Sequence, residues 1–141
     1  MSIETVRAFL EGDKPGFMKL IGLKIGAYTK EKVEGSLEAR PEISNRAGVM
    51  HGGAIMALAD TLGAAGTIAN MPEGTSTVTI ESKTNFFAAI KIGDTAHAEC
   101  MPLHRGRTTM VWQTKVTRGD GKLAAVVTQT QLVIPAEPKP R

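Results

Sequence analysis

One charged side chain stands alone in the most apolar stretch of this sequence. From Gly52 to Pro72 the chain reads Gly-Gly-Ala-Ile-Met-Ala-Leu-Ala-Asp-Thr-Leu-Gly-Ala-Ala-Gly-Thr-Ile-Ala-Asn-Met-Pro, and Asp60 is its only ionisable residue. Burying a carboxylate without a partner costs roughly several kcal/mol. At helical spacing its neighbours are Met56, Ala57, Gly63 and Ala64, none of which can pair with it. Asp60 is therefore either held by a group from elsewhere in the fold or kept for chemistry, as a general base or a nucleophile. Upstream, the same stretch opens with His51-Gly52-Gly53. A helix N-terminus carries free N–H groups and a partial positive charge. Two residues without Cβ let a ligand carbonyl approach that backbone closely. Free donors for an oxyanion and a carboxylate to take a proton are the parts that acyl transfer needs. Taken alone, the glycine pair reads equally well as a loose helix start.

Other chemistries find less support. His51, His97 and His104 are scattered, and no metal-ligand spacing appears, so no metal or cofactor is expected. A serine nucleophile in a Gly-x-Ser-x-Gly turn is absent. His104, Arg105 and Arg107 cluster around Gly106. Such a group suits a clamp on phosphates, and it suits a solvated hairpin turn as well. Lys83 and Lys91 are further candidate cations. His97 and Glu99 alternate on one strand face, as a solvent-facing pair would. Trp112 shares a face with Met110 and Thr114 and reads as packing. Arg118-Gly119-Asp120 belongs to a turn.

These residues must be positioned by the elements around them. Ile3, Val6 and Leu10 recur at helical spacing, which predicts a short helix over 2–10. Gly12, Pro15 and Gly16 break it, and residues 17–20 suit one more turn. Residues 23–29 and 32–39 read as strands, and 41–50 as a loop. The alanine-rich stretch 52–69 has helical length, and Pro72 follows its end. Four strand-like runs follow, about 76–86, 95–103, 108–117 and 123–134, with Asp120-Gly121 as a hairpin signal between the last two. Successive short-spaced strands favour an antiparallel sheet, so one long helix lying on it makes an α+β fold. On the helical wheel, Gly53, Met56, Ala57, Ala64 and Thr67 share the face of Asp60, while Ile55, Leu58, Leu62, Ala65 and Ala69 lie opposite.

The chain has 141 residues, enough for one domain with its own core, here expected over 1–134 with a frayed, proline-rich tail over 135–141. Its formal net charge of +3 is too small to argue for nucleic acid, though it would not repel a phosphorylated ligand. A single cysteine, Cys100, permits no intrachain disulfide. With no basic, apolar leader at the start, this fits a cytoplasmic protein. A membrane span over 52–69 is disfavoured by its Ala, Gly and Thr content and by Asp60 at its centre.

The segment from Asn45 through His51-Gly52-Gly53 to Asp60 resembles the signature of hotdog-fold thioesterases, in particular the phenylacetyl-CoA and acyl-CoA thioesterase branch. A second block, Thr79 to Asp94, is similar to the next family block, except that Ala88-Ala89 stands where a proline is usual. The resemblance covers roughly residues 17 to 134. It implies a five- or six-stranded antiparallel sheet wrapped round one long helix, and a homodimer, often paired into tetramers, with the active site at the subunit interface. It further implies Asp60 as base or nucleophile and the Gly52 N–H as donor to the thioester carbonyl across the dimer. His51 and Asn45 would orient this region, and Thr79 would help place the attacking water. His104, Arg105, Arg107 and Lys83 become candidates for binding coenzyme A. Two other classes remain: a hotdog domain that binds acyl-CoA without turnover, and a hotdog hydratase or dehydratase acting on enoyl or 3-hydroxyacyl thioesters. The buried acid argues against the first, and the absence of a His-Phe-Pro context against the second.

Overall fold

The computed structural model describes residues 2–12 and 16–138. Helix α1 (Ile3–Glu11) begins where the Ser2 hydroxyl accepts the Thr5 N–H at 3.1 Å, an N-cap that satisfies one of the free donors of the first turn. Helix α2 (Phe17–Ile21) follows, then strands β1 (Lys24–Tyr28) and β2 (Val33–Glu38). A short 3-10 turn, Pro41–Ile43, leads to the long helix α3 (Gly52–Asn70). Strands β3 (Thr75–Phe86), β4 (Thr95–Arg105), β5 (Thr109–Thr117) and β6 (Leu123–Pro135) complete the fold. Pro135, assigned to the tail by sequence, is the last residue of β6 and lies opposite Thr75. Residues 139–141 of that tail lie outside the described residues.

The six strands form one antiparallel sheet in the order β1-β2-β4-β5-β6-β3. It wraps α3, giving the α+β hotdog arrangement that the resemblance implies. Strand alternation builds the inner face. Val33 and Leu37 on β2, Ala96, Ala98 and Cys100 on β4, Trp112 and Val116 on β5, and Ala125 and Val127 on β6 are all buried. Leu58 and Leu62 of α3 are fully covered by that face. α3 is long and apolar enough to cross a membrane, but half of its apolar window is buried inside the protein's own sheet.

Small residues let α3 sit low on the sheet. A Cβ at Gly66 would fall 2.7 Å from the Trp112 ring, and one at Gly63 would overlap the Gln129 amide. The helix therefore buries a wider strip than the wheel suggests. Thr67, placed there with Asp60, is fully buried instead, because its hydroxyl is the acceptor that the Trp112 indole N–H needs, at 2.9 Å.

The two edges of the sheet differ. On β1 the Arg7 guanidinium, from α1, donates to the Ile25 and Gly26 carbonyls at 3.3 and 2.5 Å. β3, twelve residues long, has no strand on its outer side among the described residues. Its Val78 and Ile80 are exposed.

Candidate active site

The entrance to α3 is built by a tight loop. Asn45 Oδ1 accepts the N–H groups of Ala47 and Val49 at 2.9 and 3.4 Å, and the Asn45 N–H reaches the Val49 carbonyl at 2.8 Å. Asn45 Oδ1 thus shapes the loop. The strand-like bond from Met50 N–H to the Ile90 carbonyl, at 2.7 Å, fastens the end of that loop to the chain after β3. His51 is the N-cap: its Nδ1 accepts the Gly53 N–H at 2.8 Å. Nδ1 must therefore be unprotonated, which puts the proton of the neutral ring on Nε2.

That cap consumes the Gly53 donor and leaves the Gly52 N–H without a partner among the described residues. Here the helix-terminal field and a free donor coincide. The Phe86 ring lies so close to Gly52 that a Cβ there would stand 3.0 Å from its Cζ. Gly52, Met50, Ile55, Phe86 and Ile90 line a cavity of about 360 Å³. On the other side of the entrance, His51 and Gly53 join Phe17, Ile21, Ile43 and Ala54 around a second cavity of about 390 Å³.

Asp60 is half-buried rather than buried, and it does have a partner. The Thr79 hydroxyl, from β3, donates to its Oδ1 at 2.7 Å. Behind Thr79 stands Gln131 of β6, whose Nε2 donates to Thr79 Oγ1 at 2.6 Å and whose Oε1 accepts from the Thr77 hydroxyl at 2.9 Å. Gln129, two residues earlier on the same face, donates to the Asp60 backbone carbonyl at 3.3 Å. Asp60 and Thr79 stand out in the sequence, whereas the two glutamines do not. The signal was present: positions 125, 127, 129, 131 and 133 form the inner face of β6, and two amides interrupt its apolar series.

Within one chain the two candidate catalytic features do not meet. Gly52 and Asp60 lie eight residues apart on one straight element, about 12 Å along its axis at 1.5 Å per residue. No single carbonyl carbon reaches both.

The basic cluster sits elsewhere again. Arg105 donates to the Lys30 carbonyl at 3.3 Å and to Asn70 Oδ1 at 3.4 Å, and it lies 4.0 Å from Glu31. It ties the end of β4 to the β1–β2 turn and to the last residue of α3. His104 folds back over Gly106, where a Cβ would stand 2.5 Å from its Nε2. Arg107 is exposed and makes no hydrogen bond or ion pair among the described residues. Lys83 is exposed on β3 and alternates with the half-buried Ser82 and Thr84, which places it on the outer face. His97 and Glu99 are exposed, and Trp112, Met110 and Thr114 are buried together.

A profile described as the thioesterase superfamily matches residues 47–125, a span that includes the α3 entrance, Asp60 and Thr79. The chain belongs to the thioesterase superfamily. As a member it is a thioester hydrolase with the hotdog fold. Among its relatives is the 1,4-dihydroxy-2-naphthoyl-CoA hydrolase of Escherichia coli, 30% identical over 128 residues, which cover 87% of this chain and 88% of that one. A crystal structure of a mutant thioesterase from Pseudomonas aeruginosa superposes with a TM-score of 0.86 at 25% identity, covering 96% of each chain. A Streptococcus mutans protein bound to acetyl CoA superposes with a TM-score of 0.77 at 26% identity, covering 91% of this chain and 99% of that one. The match across nearly the whole length shows that the thioesterase shares the fold of these neighbours.

Proposed function

We propose that this thioesterase hydrolyses an acyl-coenzyme A, in active sites that two copies of the chain build together. The observation that carries the reading is the pairing of an unengaged Gly52 N–H with a carboxylate, Asp60, held by Thr79 but too far away to act on the same carbonyl within one chain. A two-fold axis beside α3 would bring Gly52 of one copy to Asp60 of the other. The open β3 edge, with Val78 and Ile80 exposed along it, supports a second copy at that position. Exposed Met101 and Leu103 on β4 supply further apolar surface on which dimers can pair into a tetramer.

The chemistry follows from these parts. The thioester carbonyl accepts the Gly52 N–H, which gains strength as the oxygen becomes an oxyanion. Asp60, its Oδ1 engaged by Thr79, has Oδ2 for the reaction. Acting as base, it takes a proton from water while the water oxygen bonds to the carbonyl carbon. The tetrahedral intermediate then expels the thiolate of coenzyme A, which leaves as the thiol after receiving that proton. Acting as nucleophile, Asp60 bonds to the carbonyl carbon and expels the coenzyme A thiolate; water then opens the mixed anhydride at the Asp60 carboxyl carbon, releasing the acid, and its proton goes to the thiolate. Single turnover in ¹⁸O water separates the two, since only the second route puts label into Asp60. Arg107, exposed and without a partner among the described residues, is the first candidate for a phosphate contact, with Arg105, His104 and Lys83 as further members of the set. A bound acetyl CoA in the Streptococcus mutans neighbour supports this ligand class. The single cysteine fits a reducing, cytoplasmic location.

A panel of aryl-, short- and long-chain acyl-CoA substrates, followed by release of free thiol, tests the reading. Thiol release that falls on the order of 10²–10⁴-fold in Asp60→Asn is the expected result. Binding without release would mean an acyl-CoA binder, and hydration of an enoyl-CoA would mean a hydratase. Near-full kcat in Asp60→Asn would remove Asp60 from the mechanism.

A further inference from the structure

The polar chain behind Asp60 has a direction. An ionised carboxylate only accepts hydrogen bonds, so the Thr79 hydroxyl must give it its single proton, across 2.7 Å. A hydroxyl that donates in one direction is fixed by a donor in another, and Gln131 Nε2 supplies that donor at 2.6 Å. The amide is oriented in turn at its other end, where Oε1 accepts from Thr77 at 2.9 Å, nearer than the Leu132 carbonyl that competes for the same proton at 3.2 Å. Were the amide reversed, its oxygen would compete for the Thr79 proton and turn the lone pairs of the hydroxyl towards Asp60.

Gln131 is fully buried on an inner strand face that also carries Val127 and Ala125. A buried amide that is not hydrogen-bonded at both ends is destabilising, so an apolar residue of similar length would serve packing alone at least as well. We propose that Gln131 is a positioning residue of the reaction: it directs the Thr79 hydroxyl onto Asp60 Oδ1 and so holds the carboxylate with Oδ2 free for water or thioester. The inference rests on the reading of Asp60 as the catalytic carboxylate. It makes Thr77 the anchor and Thr79 the intermediary, so that Gln131 acts only through Thr79.

Kinetics of single and double variants test this. Gln131→Met keeps the length and loses both hydrogen bonds. It should lower kcat on the order of 10-fold with KM unchanged, because the lost interaction bears on the reacting carboxylate and not on the bound ligand. In a Thr79→Val background the same substitution should have no further effect, since the intermediary is already gone. In Thr79→Ser, which keeps a hydroxyl, sensitivity to Gln131→Met should persist. A residue that only packs the strand would give the same loss in both backgrounds, and that result overturns the proposal, as does an unchanged kcat in Gln131→Met. If Gln131→Met does not fold, Thr77→Val, nearly isosteric, takes its place: kcat should fall several-fold, again only when Thr79 is present, and an unchanged kcat overturns the proposal. Asp60→Asn measured alongside separates the two levels of argument. If it keeps full activity, the reading of Asp60 fails; if it is inactive while the Gln131 losses are independent of Thr79, only the positioning role fails.

Discussion

Two inactive variants should restore one another if the site is shared between chains, and the structure sets both the substitutions and the size of the effect. Gly52 is the first residue of α3, the position at which proline is best tolerated, because its missing N–H has no intrahelical partner. His51 already has the extended backbone that a residue before proline adopts, with φ −63° and ψ 136°. Gly52→Pro should therefore fold once the exposed Phe86 ring, 3.0 Å from the new Cβ, turns aside, while losing the oxyanion donor, at a cost of about 10²–10³ in kcat. Asp60→Asn removes the other half of the chemistry. Random exchange between equal amounts gives heterodimers as about half of the molecules, each with one site carrying both defects and one carrying neither. Thiol release should thus recover to about a quarter of wild type, some 25-fold or more above either parent alone. Subunit exchange is first verified by native mass spectrometry of tagged chains, and folding by circular dichroism. Heterodimers that form, remain folded and show no recovery would refute a site built from two chains. A monomer by light scattering at micromolar concentration would refute it sooner.

Gly66→Ala gains about 1 kcal/mol of helix propensity, but it drives a methyl group to 2.7 Å from the fully buried Trp112 ring, and overpacking of that kind costs about 1–3 kcal/mol or more. The steric term should prevail and lower Tm by roughly 3–8 °C by calorimetry; a raised Tm would show that α3 can lift off the sheet freely. Arg107→Ala should raise KM for acyl-CoA with little change in kcat, whereas Arg105→Ala, whose side chain is occupied by Lys30 and Asn70, should raise it less. Equal effects would mean that Arg105 leaves its partners to bind ligand. Burial pushes the Cys100 thiol from its ordinary value near 9 up to about 11. The folded chain thus holds that proton more tightly than the unfolded chain, so the stability it contributes is complete below pH 9 and is lost as pH rises towards 11. Urea midpoints should fall by the equivalent of about 1 kcal/mol between about pH 8 and 10, and the fall should shrink in Cys100→Ala; an unchanged slope would assign the alkaline loss to other groups.

Much of this was legible in the sequence because local signals agreed with the fold. Ser2, Pro72 and Asp120-Gly121 mark ends that the structure keeps, and alternation along β5 put Met110, Trp112 and Thr114 on the buried face. Asp60 was conspicuous for want of a helical neighbour to pair with it. Its actual partner, Thr79, lies on another element, and the residue behind that, Gln131, is 71 positions away in sequence. Periodicity assigns a residue to a face, but it does not say which residue across the fold completes a hydrogen bond. The same gap explains Thr67, whose burial depends on the indole of Trp112. It also explains Arg105, whose partners Lys30 and Asn70 come from two other elements.

The unequal edges of the sheet bear on how far such molecules can associate. A strand edge with free N–H and C=O groups is a template, and a protein with two of them can polymerise without limit. Here Arg7 occupies the Ile25 and Gly26 carbonyls of β1, while β3 has no strand on its outer side among the described residues. A chain with one open edge is monovalent for sheet extension. If two copies joined β3 to β3, as in the proposed dimer, each would consume the open edge of the other, and the combined sheet would end on both sides in a β1 whose Ile25 and Gly26 carbonyls Arg7 already holds. Extension of the sheet, as distinct from pairing of dimers through other faces, would stop there. Replacing Arg7 would then do more than loosen a helix: it would release two carbonyls of the opposite edge, a first step towards a second valence.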